Sequence, residues 1–372
     1  MHIAVDGRNL VSELSGLARY LIEITAALSA RGHEITLLMP GPPAAGTQLP
    51  AKAQLDIARF PGPIGRLFWS ASVLPARAKK LHADVFWGPA HRLPPWLPAS
   101  LPRVLTIHDL VWRRAPETMR FKGLIAERLL MGPAIRKADI VCAVSQATAD
   151  DIAEFYSAVR GRIRLVPPPV NSLAARSDVA ASGAPFDEPY VLFVGTFEPR
   201  KNIAGLIGAF ARLPEAVRAA NRLVLCGGKG WRSESPLALA AQAGVADRVT
   251  VMGRTGDTGL AALYAHARCL ALPSFFEGFG LPIVEAQRFG LPVLTSDRSS
   301  MPEVAGEGAL FADPYDTGAI ASALERLLCD DALHAELSKK ALSNSARFSA
   351  EKSAVAMEEA LDQAIALRGA RR

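Results

Sequence analysis

Short apolar runs alternate with amphipathic stretches along the whole chain, and this alternation limits the fold more than any other feature. In the first half, the runs His2–Val5 and Ile35–Met39 are typical of strands that are buried on both faces. Between them, Ala18–Ala30 carries apolar residues at helical spacing. Strands and helices that alternate in this way predict an α/β protein with doubly wound parallel sheets.

A proline-rich break divides the alternation into two series. The first series ends at Ile163–Val166, and three consecutive prolines follow it and make a stiff connection. The second series starts at Tyr190–Val194, after the small and polar residues of 171–189. At 372 residues the chain is long enough for two domains that each bury a core. We therefore expect two Rossmann-like domains and a terminal helix, over 1–170, 171–350 and 351–372.

The composition is that of a globular protein with anionic partners. Half of the residues are hydrophobic and 21% are charged, which excludes a disordered chain. The formal net charge of +6 suggests a sugar nucleotide, a membrane surface or a nucleic acid as partner. The basic residues are dispersed rather than concentrated in a recognisable binding motif, which argues against nucleic acid.

The cysteines and the hydropathy pattern predict a cytoplasmic protein. The chain has four cysteines, widely spaced and without a Cys-x-x-Cys pair, which is typical of reduced core residues. No stretch approaches the roughly 18 apolar residues of a membrane span. The first residues already form a predicted strand, so we expect no signal peptide.

A glycine-containing turn between a predicted strand and a predicted helix is the strongest candidate for a ligand site. The apolar run Cys269–Pro273 comes before it, and the helix begins at Leu281. Gly278 and Gly280 allow the backbone to approach a ligand closely, and the helix start offers N–H groups to an anion. Ligands of open α/β sheets bind at this carboxyl edge of the strands.

Two carboxylates flank this turn, at Glu277 and Glu285. Carboxylates accept hydrogen bonds from hydroxyl groups, so the two residues suit a sugar or a ribose held beside a phosphate. A single carboxylate near a helix start can instead be a favourable partner of the helix dipole. Two carboxylates on either side of a Gly-Phe-Gly turn favour the interpretation as a ligand site over that of a helix-dipole partner.

The stretch from Glu277 to Glu285, Glu-Gly-Phe-Gly-Leu-Pro-Ile-Val-Glu, resembles the signature of retaining glycosyltransferases of the GT-B fold, in particular glycosyltransferase family 4. The resemblance extends over essentially the whole chain. It implies two Rossmann-like domains that face each other across a cleft, with the acceptor on the N-terminal domain, the nucleotide sugar on the C-terminal domain, and a last helix that returns to the first domain. In that family the first Glu and the following amides, here Gly278, Phe279, Gly280 and Leu281, hold the donor sugar, and the second Glu binds the ribose.

The loop Gly195–Asn202 supplies two positive charges, Arg200 and Lys201, at the start of a predicted helix. Two cations beside a helix N-terminus favour a diphosphate, although either one alone can be a surface charge. The family commonly has an additional Arg earlier in this loop, where this chain has Thr196. The resemblance therefore supports Lys201 through the Pro-Arg-Lys motif and Arg200 by proximity.

Further site residues follow from the resemblance. His108 ends a predicted strand and is expected to contact the donor sugar from the N-terminal domain, although a structural histidine is the alternative. Asp109 is expected to cap the next turn. Gly16, where the family usually has a glycine pair, is expected to approach the diphosphate or the acceptor. Gly253 and Arg254 follow a strand whose end, in the family, approaches the nucleobase.

The form Gly-Thr-Phe-Glu-Pro-Arg-Lys-Asn at 195–202 resembles a subgroup with many bacterial mannosyltransferases of surface polysaccharide assembly, which suggests lipopolysaccharide synthesis. The expected reaction moves mannose from GDP-mannose, with retention, to a saccharide or a lipid-linked saccharide. The chain has no Asp-x-Asp motif, and we expect neither a metal nor a cofactor. A UDP- or dTDP-sugar donor, such as glucose or rhamnose, and a non-catalytic sugar-binding protein are the alternatives.

Basic and apolar residues are mixed over 112–137. One interpretation is a solvated basic face beside a core face. The other is a peripheral contact with an anionic membrane, at the inner face of the cytoplasmic membrane.

Overall fold

The computed structural model describes residues 1–12, 15–170, 183–231 and 234–370. The chain divides into two compact units. The first unit combines Met1–Trp112 and Lys122–Pro169 with the chain from Ser349 onward, and the second combines Arg113–Phe121 with Val170–Phe348. Most of the predicted interdomain boundary, at 171–182, lies outside the described residues.

Each unit contains one parallel sheet. The strands of the first unit are β1 (His2–Asp6), β2 (Glu34–Met39), β3 (Gln54–Ile57), β4 (Val85–Gly88), β5 (Arg103–Ile107), β6 (Ile140–Ala143) and β7 (Ile163–Leu165). They pair in the order β3-β2-β1-β4-β5-β6-β7. The strands of the second unit are β8 (Tyr190–Val194), β9 (Arg222–Cys226), β10 (Val249–Met252), β11 (Cys269–Leu272), β12 (Val293–Ser296) and β13 (Ala309–Ala312). They pair in the order β10-β9-β8-β11-β12-β13.

Helices follow most of the strands. In chain order they are α1 (Gly16–Ala30), α2 (Gly62–Phe68), α3 (Leu74–Lys80), α4 (Val111–Arg114), α5 (Phe121–Lys137), α6 (Gln146–Phe155), α7 (Ile203–Ala211), α8 (Glu215–Ala220), α9 (Pro236–Gln242), α10 (Asp257–His266), α11 (Leu281–Arg288), α12 (Met301–Ala305), α13 (Thr317–Cys329), α14 (Asp331–Ser345) and α15 (Ala350–Gly369). The predicted alternation of parallel strands and helices is confirmed in both units.

The last helix, α15, packs into the core of the first unit. Its Met357 and Leu361 are buried in the same cluster as Ile3 of β1 and Leu21 of α1. Near its end, the Arg368 guanidinium donates to the Oδ2 atom of the buried Asp139, at 3.1 Å from Nε and 2.9 Å from Nη2. The helix therefore belongs to the hydrophobic core of the first unit.

One strand was missing from the sequence interpretation. The stretch Gly41–Pro63 is rich in Pro, Ala and Gly, a composition that predicts an irregular loop, and this prediction is wrong over β3. This strand lies at the edge of the first sheet, and three of its four side chains are exposed. An edge strand with exposed side chains needs no apolar run, so hydropathy alone does not reveal it.

The order of the second sheet reverses at β8, which pairs with both β9 and β11. The loops that leave the carboxyl ends of β8 and β11 therefore lie side by side. In an open parallel sheet, such a reversal creates a crevice where ligands bind. In the described part of the chain, no helix combines the length and the hydrophobicity that are needed to cross a membrane.

Candidate active site

The loop after β8 is shaped by Asn202, which adopts a left-handed conformation with φ of 56°. Its Oδ1 atom accepts a hydrogen bond from the Gly205 amide at 3.2 Å and so caps α7. Its Nδ2 atom donates to the carbonyls of Pro273 at 3.1 Å and Pro314 at 2.7 Å. One side chain therefore fastens the loops after β8, β11 and β13 to one another and fixes the Pro199–Lys201 turn before it.

That turn brings Arg200 and Lys201 to Glu277, which is 5% exposed. Arg200 donates from Nη1 to Glu277 Oε2 at 2.6 Å, and the Lys201 ammonium donates to Glu277 Oε1. Ser274 donates to the same Oε1 atom at 2.8 Å. Arg200 also donates from Nε to Glu198 Oε2 at 2.9 Å. The result is a largely buried cluster of two cations and two carboxylates at the reversal point of the sheet.

The charges in this cluster control the ionisation of Glu277. Burial alone raises the pKa of this carboxyl, but the positive charges of Arg200 and Lys201 and their hydrogen bonds outweigh burial and hold the pKa at about 2. Burial lowers the pKa of the Lys201 ammonium, against the attraction of Glu277. A carboxylate with so low a pKa is a weak base, so the geometry suits Glu277 to orienting its neighbours rather than to removing a proton.

The turn after Glu277 contains one glycine in the left-handed region, just before α11. Gly280 has φ of 92° and forms the N-cap of α11. Phe279 is 6% exposed, and its ring packs edge-on against Phe348 with the ring centres 5.3 Å apart. Because the side chain of Phe279 is packed in the core, only its backbone is suited to contact a ligand. Leu281 begins the helix.

Glu285 lies in α11 and is 7% exposed. Its Oε2 atom accepts a hydrogen bond of 2.8 Å from the hydroxyl of Tyr264 in α10. The Tyr264 ring in turn stacks on Phe289. Tyr264 was not among the predicted site residues, because a tyrosine at helical spacing in an apolar stretch is typical of a core residue.

The glycine-rich turn after β9 packs directly on the loop after β8. A Cβ atom on Gly227 would lie 1.9 Å from the Gly195 carbonyl oxygen, and one on Gly230 would lie 1.9 Å from the Phe197 carbonyl oxygen. The backbones also bond, because the Phe197 amide donates to the Gly228 carbonyl at 2.9 Å. The turn lacks the Lys-Ser/Thr ending of a P-loop, and the structure gives its glycines a packing role that their spacing does not reveal.

Gly253 and Arg254, which follow β10, adjoin this glycine-rich turn. Both residues are exposed. The Arg254 side chain lies close to Gly228, since a Cβ atom there would be 2.7 Å from Arg254 Nε. The donor-binding residues that were predicted in the second unit thus lie on the loops after β8, β10 and β11 and at the start of α11, at one edge of the second sheet.

The first unit contains the two other predicted site residues, His108 and Gly16. His108 follows β5, and its Nε2 atom donates to the Pro89 carbonyl at 2.7 Å. Its backbone amide donates to His91 Nε2 at 3.0 Å. Burial, and then the neighbouring His91, lower the pKa of His108 to about 3. The ring is therefore neutral at physiological pH, and Nδ1 carries the lone pair that can accept a hydrogen bond.

Gly16 is exposed and is the first residue of α1, where the Ser15 hydroxyl accepts a hydrogen bond from the Ala18 amide at 3.3 Å. The two residues before Ser15 lie outside the described residues. Asp109 accepts a hydrogen bond from the Val111 amide at 3.1 Å. Its predicted role as a cap of that turn is confirmed.

Known proteins match this chain in sequence and in fold. Residues 14–172 match the model of Glycosyltransferase Family 4, and residues 176–344 match the model of glycosyl transferases group 1. The O-antigen chain mannosyltransferase B of Escherichia coli is 31% identical over 268 residues, which are 69% of this chain and 69% of that protein. The D-inositol 3-phosphate glycosyltransferase of Xylanimonas cellulosilytica is 30% identical over 96% of this chain and 94% of its own length.

Among solved structures, WaaG, a glycosyltransferase involved in lipopolysaccharide biosynthesis, matches with a TM-score of 0.76 at 20% identity. The match covers 97% of this chain and 99% of WaaG. At this identity the likeness shows the fold alone. The two parallel-sheet units and the match to WaaG together identify the fold as GT-B. With the two family models and the two relatives, it follows that the chain belongs to the family 4, group 1 glycosyltransferases.

Proposed function

We propose that this glycosyltransferase moves mannose from GDP-mannose, with retention of the anomeric configuration, to a saccharide or a lipid-linked saccharide in cell-surface polysaccharide assembly. The observation that carries the proposal is the cluster of Arg200, Lys201 and Glu277 at the reversal point of the second sheet. The choice of mannose is supported by the relationship to the O-antigen chain mannosyltransferase B of Escherichia coli.

Arg200 and Lys201 are the groups that would receive the diphosphate of the donor. When the glycosyl bond breaks, the departing nucleoside diphosphate gains negative charge, and fixed cations stabilise that charge most effectively when they need not reorganise. Glu198 and Glu277 already hold the two cations in place. We therefore assign the stabilisation of the leaving group to Arg200 and Lys201, without a metal ion or a cofactor.

Glu277 would position hydroxyl groups of the donor sugar, and Glu285 would bind the ribose. Retention would follow from attack on the same face as the departing diphosphate, which requires no nucleophile from the protein. The pKa of Glu277, about 2, supports this assignment because a stronger base would be needed to deprotonate an acceptor hydroxyl. His108, with a neutral ring, would accept a hydrogen bond from a sugar hydroxyl through Nδ1.

A panel of nucleotides tests the donor. Thermal stabilisation of the wild-type protein is measured with GDP, UDP, dTDP and their sugars, with and without EDTA, since a ligand that binds only the folded state raises the melting temperature. We expect the largest shift with GDP and GDP-mannose, unchanged by EDTA. The anomeric configuration of the product, read by proton NMR, tests retention. Loss of the shift in EDTA would refute metal independence, and an inverted product would refute the mechanism.

A second candidate uses another donor and a phosphorylated acceptor. It is favoured by the D-inositol 3-phosphate glycosyltransferase relative, which matches nearly the whole chain. A preference for UDP or for a UDP-sugar in the same panel would support this candidate and keep the site. The absence of any sugar transfer, with a nucleotide sugar still bound, would instead favour a non-catalytic sugar-binding protein.

A membrane contact through α5 would suit a lipid-linked acceptor. Three apolar side chains recur at every fourth position on this helix, Phe121, Ile125 and Leu129, and they are 70%, 40% and 67% exposed. Lys122 and Arg128 beside them are also exposed. An apolar stripe next to basic residues suits the interface of an anionic bilayer. We propose that this part of 112–137 binds such a membrane peripherally.

Vesicle sedimentation tests the membrane contact. The wild-type protein should sediment with vesicles that contain phosphatidylglycerol, and the bound fraction should fall as salt screens the lipid charge. The Phe121→Ser and Leu129→Ser double variant should bind less, while Leu237→Ser, a change at another exposed leucine, should bind like the wild type. Equal binding by all three proteins would refute the assignment to α5.

A further inference from the structure

The end of β12 and the loop after it hold the glycine turn of the candidate site through side-chain hydroxyl groups. Ser296 donates to the Ser274 carbonyl at 2.6 Å, and Ser299 donates to the Glu277 carbonyl at 2.6 Å. Ser300 lies 2.9 Å from the same Glu277 carbonyl and 3.1 Å from the Phe279 carbonyl. We call Ser296, Ser299 and Ser300 the serine clamp. The hydroxyls of Ser299 and Ser300 contact carbonyl groups of the turn that connects Glu277 to α11, and the Ser296 hydroxyl contacts the Ser274 carbonyl just before that turn.

Two residues of the clamp are buried, and the third, Ser299, is half-buried and locally strained. Ser296 and Ser300 have no exposed surface. Ser299 has φ of 55°, a left-handed conformation that residues other than glycine, asparagine and aspartate rarely adopt. Strained conformations of this kind persist where the surrounding structure requires them, and they concentrate at functional sites. At Ser299 the strained backbone delivers a hydroxyl to the carbonyl of Glu277.

The carbonyl directions fix the directions of two amides. No cis peptide bond occurs in the described residues. In a planar trans peptide the C=O and N–H bonds point in opposite directions. The peptide that joins Glu277 to Gly278 therefore turns the Gly278 N–H away from Ser299 and Ser300. The Phe279 carbonyl, when it accepts from Ser300, turns the Gly280 N–H away in the same manner.

We propose that Ser299 and Ser300 are positioning residues that aim the Gly278 and Gly280 amides at the donor, at its sugar or its diphosphate. The inference rests on the proposed function of the same turn and adds the two serines that orient its amides. Amide donors stabilise developing negative charge best when their direction is fixed before the reaction. Because the clamp acts through the backbone, its loss should lower kcat more than it weakens binding of the nucleotide.

The variant Ser299→Gly separates this role from a purely structural one. Glycine removes the hydroxyl but tolerates the positive φ, so the melting temperature should stay equal or rise, while kcat should fall about tenfold or more. Ser299→Asn keeps both a tolerance for positive φ and an N–H donor, and it should recover part of kcat. His82→Gly, which relieves another positive φ of 48°, is the matched control and should leave kcat unchanged. A kcat for Ser299→Gly within about twofold of wild type would overturn the proposal.

Backbone NMR gives a readout that does not depend on catalysis. In protein labelled with ¹⁵N-glycine, Ser300→Ala should move the Gly278 and Gly280 signals of the free protein, and it should reduce their response to GDP. If the free-protein signals coincide in Ser300→Ala and wild type, the clamp does not orient these amides and the inference is wrong. If the signals differ but the wild type responds to no nucleoside diphosphate, the clamp stands as an orienting device and the proposed donor site fails.

Discussion

Tyr264 and Glu285 are joined by a hydrogen bond of 2.8 Å between the phenol and the carboxylate, and both side chains are buried. The phenol occupies a lone pair of Oε2 and fixes the plane of the carboxylate. A carboxylate that is held in this way can bind both hydroxyls of a ribose without first losing rotational freedom. The contact therefore links Tyr264, which resembles an ordinary core residue, to the proposed nucleotide site.

Tyr264→Phe should weaken donor use without disrupting the fold. Loss of one buried hydrogen bond costs about 1 kcal/mol, which corresponds to roughly a fivefold lower kcat/KM if Glu285 binds the ribose. Tyr190→Phe is the matched control, because the buried Tyr190 hydroxyl donates to the Leu263 carbonyl at 2.8 Å and does not involve Glu285. Both variants should lose similar stability in urea. An equal effect of both variants on kcat/KM for the donor would show that Tyr264 has no special relation to the site.

Glu277→Gln should destabilise the second unit as well as reduce activity. The change keeps the shape but removes a negative charge that accepts hydrogen bonds from Arg200 and the buried Lys201. Removing one partner of a buried ion pair typically costs about 3 kcal/mol, because the remaining charge is left uncompensated. Urea unfolding measures the loss. Glu198→Gln should lower the free energy of unfolding less, because the partner of Glu198 is Arg200, which is more exposed than Lys201. A larger loss in Glu198→Gln than in Glu277→Gln would contradict the central role of Glu277 in the cluster.

The stability difference between wild type and Glu277→Gln should depend on pH in a defined direction. The pKa of Glu277 is about 2 in the folded protein, below its usual 4.5, so the unfolded chain binds the proton first as pH falls. The contribution of this carboxylate, about 3 kcal/mol, is therefore fully present above about pH 4.5 and is lost as the pH approaches 2. Urea unfolding of both proteins between about pH 7 and pH 3 checks this. A constant difference over that range would contradict it.

The sequence predicts the parts of this molecule that have a regular hydrophobic pattern or a distinctive residue composition. Buried parallel strands appear as apolar runs, so the runs His2–Val5, Ile35–Met39 and Cys269–Pro273 each agree with a strand to within one residue at either end. The turn with Gly278 and Gly280 was visible because glycine marks positive φ and close approach. The edge strand β3 could not be predicted from the sequence, because its exposed side chains form no apolar run.

The partners of the site residues could not be predicted in the same way. Arg200 and Lys201 were expected at a diphosphate, and the structure shows that they also bind Glu277. That contact depends on β8 and β11 being neighbours in the sheet, which is a property of the topology rather than of either loop. Ser299 and Ser300 were overlooked for a related reason, since serines are common in loops and only the fold shows which carbonyl each one reaches.

His108 should remain neutral throughout the pH range of activity. Its pKa is lowered to about 3 from the usual 6.5, so an NMR titration of its ring should show no midpoint near neutrality. Because the unfolded chain binds the proton at higher pH, stability contributed by the neutral ring is lost as pH falls from about 6.5 toward 3. His108→Gln should therefore show a flatter dependence of melting temperature on pH. A ring that titrates near pH 6.5 would refute the neutral assignment.

Gly227→Ala should separate the packing of the donor loops from the chemistry of their side chains. The added methyl group would lie 1.9 Å from the Gly195 carbonyl oxygen, a backbone atom that cannot rotate away, so the loops after β8 and β9 must move apart. Since Arg200 and Lys201 leave the same loop after β8, the displacement should weaken nucleotide binding about tenfold or more, although no ligand-binding side chain has changed. Gly256→Ala is the matched control in the same unit, because a Cβ atom at Gly256 meets nothing within 4 Å. Calorimetric titration with GDP measures both. Equal affinities of the two variants would mean that the close contact of these loops does not position the cations.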